Sequence, residues 1–250
     1  MSEKARNKTA LILCVQEVKE DGSSMNLGNQ LSADDIMFLH QAFIADSLVN
    51  ALSLPRTDIK LYYSPKTKTQ QSIDTILDYL KNRYTGKSRS ILEGGHLEVA
   101  ELGPGRWGEK MDESFRRCFD QGYKKVMFVG SRTPTLTSGM LLNAAKILSK
   151  KDLVFGPTVE GRYYMIGFSS KYHFPLVDFD WKQPDIYSQV SSRIEKENLS
   201  WEETEIWYAV EHPEDMEYLA RDINQFRLTG DEVTARETEK VLERILNRYH

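Results

Sequence analysis

Apolar and polar positions along the chain fall into short patches whose spacing alternates between a strand-like period of two and a helix-like period of about 3.6. TALILCVQ (9–16) is a compact β-prone run, and a Gly/Ser/Asn-rich loop separates it from a helical stretch over 33–52. Ser32 is placed to cap that helix, with Ile36, Leu39, Phe43 and Leu48 on one face. DIKLYYS (58–64) predicts the next strand. Residues 69–84 predict the next helix, with Ile73, Ile76, Leu77 and Leu80 at helical spacing. HLEVAEL (96–102), a helix near 109–121, KKVMFVG (124–130) and a helix over 138–150 continue the alternation. Such repetition is the pattern of an open α/β sheet covered by helices on both faces.

Beyond residue 150 the pattern changes. LVFGPTVEGRYYMIGF (153–168) carries two β-prone segments around a turn at Glu160 and Gly161. DIYSQVSSRIEKENL (185–199) reads as a helix, EIWYAV (205–210) as a short strand, and PEDMEYLARDINQF (213–226) as the start of another helix. The closing segment is amphipathic, with Val241, Leu242, Ile245, Leu246 and Tyr249 on one stripe. A parallel half joined to a mixed half points to one nucleotide-binding α/β domain over residues 1–228, not to paired Rossmann units. Residues 229–250 form a C-terminal helix expected to pack on that domain, with homodimerisation as the second use of such a stripe.

With 250 residues, 40% of them apolar, the chain can bury a sizeable core, and no linker or repeat divides it. A formal charge of −4 leaves no electrostatic footprint for nucleic acid. LILCV near the start is too short for a signal-peptide core and far too short to span a membrane, so a cytoplasmic protein is expected. Cys14 and Cys118 fall in a predicted strand and a predicted helix, and read as buried reduced thiols. His40, His96, His173 and His212 read as surface or packing residues, and no Cys or His has metal-ligand spacing.

One stretch, GPGRWG (103–108), spells the G-x-G-x-x-G fingerprint of a dinucleotide-binding turn. That fingerprint works when a buried strand leads into it and an acid after the next strand holds a ribose. Here the preceding strand carries Glu98 and Glu101, and the residue after the next strand is Arg132. The spelling alone therefore fits a glycine-rich turn without a dinucleotide at least as well.

A longer ordered string decides the matter. ELGPGRWGEKM is followed by GSRTP (130–134), GPTVEGRYYMIG (156–167), Trp181 and AVEHPEDMEYL (209–219). Over about residues 8–225 this resembles the rSAM/selenodomain-associated transferase family of GT-A-fold proteins, relatives of nucleotide-sugar and nucleotidyl transferases. That family shows G-D-L-G-E-R-M, G-S-D-x-P, G-P-x-x-D-G-G-Y-Y-L-I-G and D-x-D-T-P-E-D-L in the same order. The resemblance implies a three-layer α/β/α fold of the nucleotide-diphospho-sugar transferase type with a mixed central sheet. GPGRWG then matches the family's turn before the helix behind the nucleotide site.

The departures carry as much information. The acid of G-S-D-x-P, which in the family resembles a divalent-cation ligand, is here Arg132. D-G-G-Y-Y is EGRYY, which keeps Glu160 but places Arg162 on a glycine position. The G-D-L-G acid is Arg106, followed by Gly108, and the final D-x-D is Ala209, Val210 and Glu211. The phosphate-binding first loop, G-x-x-K-T-R-L in the family, reads EDGSSMNLGNQL (20–31) and lacks both cations. A unit charge about 4 Å from a divalent ion interacts by roughly 8 kcal/mol at an effective dielectric near 20. Exchanging a carboxylate for a guanidinium there is expected to remove the metal site, so no cofactor is expected.

Two functions stay open. In one, Arg106, Arg132 and Arg162 grip the phosphates of a nucleotide or nucleotide-sugar ligand, with Gly108, Tyr163 and Glu211 around it. Arg132 would then stabilise the departing diphosphate from a solvent-facing position, and Glu160 would act as base toward an acceptor. Transfer would be metal-independent or weakened. In the other, the chain is a catalytically inactive GT-A-fold binding or scaffold module.

Overall fold

Thr9–Val15 forms strand β1, buried along its whole length because it lies inside a sheet covered on both sides. The computed structural model describes residues 9–17, 25–27, 31–169 and 174–249. After β1 come α1 (Ala33–Leu52), β2 (Thr57–Tyr63), α2 (Thr67–Arg83), α3 (Gly86–Glu93), β3 (Leu97–Glu101), α4 (Trp107–Asp120) and β4 (Lys125–Gly130). The second half runs α5 (Ser138–Ile147), β5 (Leu153–Pro157), β6 (Tyr163–Ser169), α6 (Ile186–Lys196), β7 (Trp201–Glu203), α7 (Asp215–Leu228) and α8 (Arg236–Tyr249).

The strands make one seven-stranded sheet of order β3-β2-β1-β4-β6-β5-β7. β1 to β4 run parallel, β6 is antiparallel to both β4 and β5, and β7 returns parallel to β5. The sheet is therefore mixed, as expected. Alternation along each strand splits the core in two. Leu11, Leu13, Val15, Met127 and Val129 face a cluster with α1, α2 and α5. Ala10, Ile12, Cys14, Val126 and Phe128 face one with α4 and α6. The result is three layers.

Helix α1 begins where its cap predicts. The Ser32 hydroxyl accepts from Asp35 N at 3.2 Å, and the Asp35 carboxylate accepts in return from Ser32 N and Oγ. Its apolar residues do not share one face, contrary to expectation. Leu48 packs on the sheet, whereas Ile36, Leu39 and Phe43 join a third cluster with Val210, Leu219, Ile223, Ala235 and Ile245 of the C-terminal half. α1 is buried on both sides because α7 and α8 cover what would otherwise be its outer face.

Three further expectations are corrected. Residues 205–210 do not form a strand. The sheet takes up Trp201–Glu203 instead, and an isolated bridge joins Trp207 to Thr158. Helix α3 has no counterpart in the sequence pattern, because Leu92 is its one fully buried apolar residue among those described. On α8, Ile245 is 4% exposed but Leu246 is 58% exposed, so Leu246 lies off the packed stripe. The Tyr249 side chain lies outside the described part of the chain. Ile245→Ala is expected to cost about 2 kcal/mol or more, and Leu246→Ala less than about 0.5 kcal/mol. Denaturant unfolding of both variants checks which face of α8 is buried.

Candidate functional site

β4 ends at Gly130, level with Cys14 of β1. Ser131 N then donates to Cys14 O at 3.0 Å, and Thr133 Oγ1 donates to Gly130 O at 2.8 Å. This tight turn lifts Arg132 above the carboxyl ends of two parallel strands, beside the point where the antiparallel β6 begins the other half. Open α/β sheets hold ligands at such a reversal of strand order. A cavity of about 630 Å³ opens there, floored by Cys14 and Gln16 and reached by Arg132, Arg162 and Glu211.

Two arginines from different elements meet on one carboxylate. Arg132 Nη1 lies 3.4 Å from Glu211 Oε1, and Arg162 Nη1 lies 3.3 Å from Glu211 Oε2. Arg162 also donates through Nη2 to Lys182 O at 3.2 Å. The Arg162 backbone is set by a turn in which Thr158 N donates to Arg162 O and Arg162 N to Thr158 Oγ1. That turn passes through Gly161 at φ +73°, a left-handed conformation that favours glycine. The Glu211 backbone is fixed by Val210 N donating to Arg132 O at 2.8 Å. Asp215 Oδ2 accepts from Glu211 N and His212 N at 2.9 and 2.8 Å.

Arg132 does not face solvent as expected, since its side chain is 11% exposed against 35% for Arg162. Burial pushes its guanidinium down from the ordinary arginine range, and Glu211 is the main group holding it up. Burial also raises the Cys14 thiol to about 12, which leaves it neutral and unsuited to act as a nucleophile. Among the described residues, no three His, Cys, Asp or Glu side chains come together as a metal-binding group.

Of the residues singled out in the sequence, Arg132, Glu160, Arg162, Tyr163 and Glu211 line this one cavity. Glu160 sits exposed on the β5–β6 turn. Arg106 and Gly108 are not among the lining residues. Arg106 precedes α4, its side chain is 77% exposed, and it pairs with Glu109 at 3.6 Å. Gly108 serves packing: a Cβ there would stand 2.3 Å from Leu176 O and 3.0 Å from Trp181 Nε1. The first loop, residues 20–31, lies mostly outside the described residues; Met25, Leu27 and Leu31 pack in the third cluster.

Apart from Tyr163, the sequence pattern did not reveal the cavity's aromatic walls. Trp107, Tyr163 and Trp181 stand on one side, and Trp207, Tyr208 and Tyr218 line it as well. Each indole N–H is already engaged: Trp107 with Tyr163 OH at 2.7 Å, Trp181 with Leu176 O at 2.8 Å, and Trp207 with Thr135 Oγ1 at 3.2 Å. These rings therefore offer a ligand their faces and edges rather than donors. The usable signal was the run Ile206, Trp207, Tyr208, whose apolar bulk resembled a strand.

Residues 50–183 match the family described as "Uncharacterized protein conserved in bacteria (DUF2064)". No curated protein matches the chain. Among solved structures, the chain is similar to a protein from Desulfovibrio desulfuricans G20 provisionally described as a nucleotide-diphospho-sugar transferase. That pair has a TM-score of 0.72 at 20% identity, over 96% of this chain and 98% of the other. A cytidylyltransferase from Leptospira borgpetersenii serovar Hardjo-bovis (strain JB197) is similar at TM-score 0.51 and 9% identity, covering 91% of this chain and 97% of that one. The 4-diphosphocytidyl-2C-methyl-D-erythritol synthase of Anaerococcus prevotii DSM 20548 follows at 0.50 and 12%, covering 89% and 100%. At these identities the likeness is one of fold.

Proposed function

The chain belongs to the DUF2064 family and has a GT-A-like nucleotide-diphospho-sugar transferase fold, and on that premise we propose that its cavity binds a nucleoside diphosphate or nucleotide sugar without a divalent cation. The observation that carries this is the pair Arg132 and Arg162 converging from two elements at the carboxyl ends of β1 and β4. Guanidinium groups at that place can take phosphate oxygens through paired hydrogen bonds. The aromatic walls suit a stacked ring beside them.

The donor set does not suit a hard cation. Both Glu211 oxygens are turned to arginines, and Asp215 Oδ2 is committed to two backbone amides. In a transfer reaction the arginines would stabilise the charge that grows on the departing diphosphate. That group leaves with the electron pair of the bond to the transferred carbon or phosphorus. Glu160 takes the proton of the attacking hydroxyl in the same step.

One observation favours a second reading, an inactive binding or scaffold module. Glu160 is exposed on its turn, where solvent leaves its carboxylate nothing to set it apart from an ordinary surface acid. A thermal-shift screen of nucleoside mono- and diphosphates and nucleotide sugars, in EDTA and in Mg²⁺, tests the binding claim. Diphosphates are expected to stabilise the protein in both buffers, by roughly 2.7 kcal/mol at a hundred times Kd. Stabilisation by nucleotide sugars with no turnover to any acceptor would select the scaffold reading. A shift seen only with Mg²⁺ would contradict the metal-free clamp.

A further inference from the structure

Glu211 is bound at both oxygens by the groups that a phosphate would use. Its separations from Arg132 and Arg162, 3.4 and 3.3 Å, exceed the roughly 2.7–2.9 Å of a tight charge-assisted bond. The carboxylate is thus shared by two cations and held closely by neither. Its side chain is 31% exposed on the cavity side, while its backbone is pinned by Asp215. The side chain can rotate away while the chain stays in place. Arg132, by contrast, is largely buried and needs an anion beside it in any state.

We propose that Glu211 is a built-in competitor: its carboxylate fills the phosphate position of the ligand-free cavity and is displaced when a phosphate ligand enters. This rests on the clamp reading above and adds a specificity device to it. Every ligand must replace the two ion pairs of Glu211, so a small anion gains little by entering. A ligand that adds more phosphate oxygens and a stacked ring gains enough to stay. Glu211 thereby selects nucleoside diphosphates and nucleotide sugars over free phosphate. A Glu211 that instead ligated a cation or held a sugar hydroxyl would have the opposite effect when removed.

Pyrophosphate titrated in EDTA, read by the fluorescence of the three tryptophans that line the cavity, separates these cases. The proteins compared are wild type, Glu211→Gln, Arg162→Ala and the double variant, with Glu211→Ser as a second replacement and melting curves as a check on folding. Glu211→Gln is expected to bind pyrophosphate roughly fivefold or more tightly than wild type, the scale of two partly exposed ion pairs. In the Arg162→Ala background that gain should shrink, because only one arginine is left for the carboxylate to occupy. Unchanged or weaker binding by both Glu211 variants, with wild type still binding, overturns the competitor and leaves the clamp standing. A gain of full size in the Arg162→Ala background means plain repulsion and also overturns it. No binding by wild type or by either Glu211 variant at millimolar pyrophosphate removes the clamp reading as well.

Discussion

Arg132→Ala is expected to weaken nucleoside diphosphate binding by about one to two orders of magnitude, the scale of a charge-assisted hydrogen-bonded contact. The effect on folding should be larger than for an ordinary surface arginine. Arg132 is nearly buried, and its loss leaves Glu211 with Arg162 alone. Arg162→Ala, at a half-exposed position, should lose less binding and almost no stability. The sharper variant is Arg132→Asp, which restores the acid that the resemblance expects. If the clamp stands in for a cation, that variant should lose binding in EDTA and regain part of it in Mg²⁺ or Mn²⁺. Calorimetric titration in both buffers is the measurement. Equal affinities for wild type and Arg132→Ala would remove Arg132 from the site.

The second large effect is a proton exchange hidden in helix α1. Asp46 accepts from Glu237 N, Thr238 N and Thr238 Oγ1, and so caps the buried start of α8. Burial nevertheless outweighs these bonds and raises its carboxyl from 3.8 to about 7. Burial also lowers His40, with Arg132 adding to the effect, from 6.5 to about 3; among the described residues neither ring nitrogen of His40 has a hydrogen-bond partner. Between about pH 4 and 6.5 the folded protein keeps a proton on Asp46 and none on His40, and the unfolded chain does the reverse. Both states then hold the same number of protons at this pair, so its contributions to the pH slope cancel.

Removing either partner should expose the other. In Asp46→Asn the unfolded state binds the extra proton, on His40, so stability should rise with pH by up to about 1.4 kcal/mol per unit. In His40→Leu the folded state binds it, on Asp46, so stability should fall with pH by a similar amount. Urea unfolding at several pH values between 4 and 6.5 tests both. Parallel profiles for wild type and the two variants would show that these groups titrate normally.

The parallel half of the fold was legible where its strands are buried on both faces and where a helix carries its own cap. β1 and β4 read as continuous apolar runs, and Ser32 marks the start of α1 at the right residue. The C-terminal half was less legible for a physical reason. Trp207 and Tyr208 have strand-like bulk, but they line a cavity instead of a sheet face. The charged side chains that line the cavity were legible one by one and not as an arrangement. Arg132 and Arg162 stand 79 and 49 positions from Glu211, and no local pattern says that one carboxylate lies between them. Arg106 shows the converse. Its position in the turn suggested a phosphate ligand, but Glu109, three residues on, pairs with it at the helix start.

The measurement that bears most directly on the metal-free clamp is calorimetric titration of a nucleoside diphosphate into wild-type protein, once in excess EDTA and once in Mg²⁺. Dissociation constants within about twofold of each other, both weakening as salt rises through the range where exposed charges are screened, are what the clamp predicts. Binding that appears only when Mg²⁺ is present would contradict it.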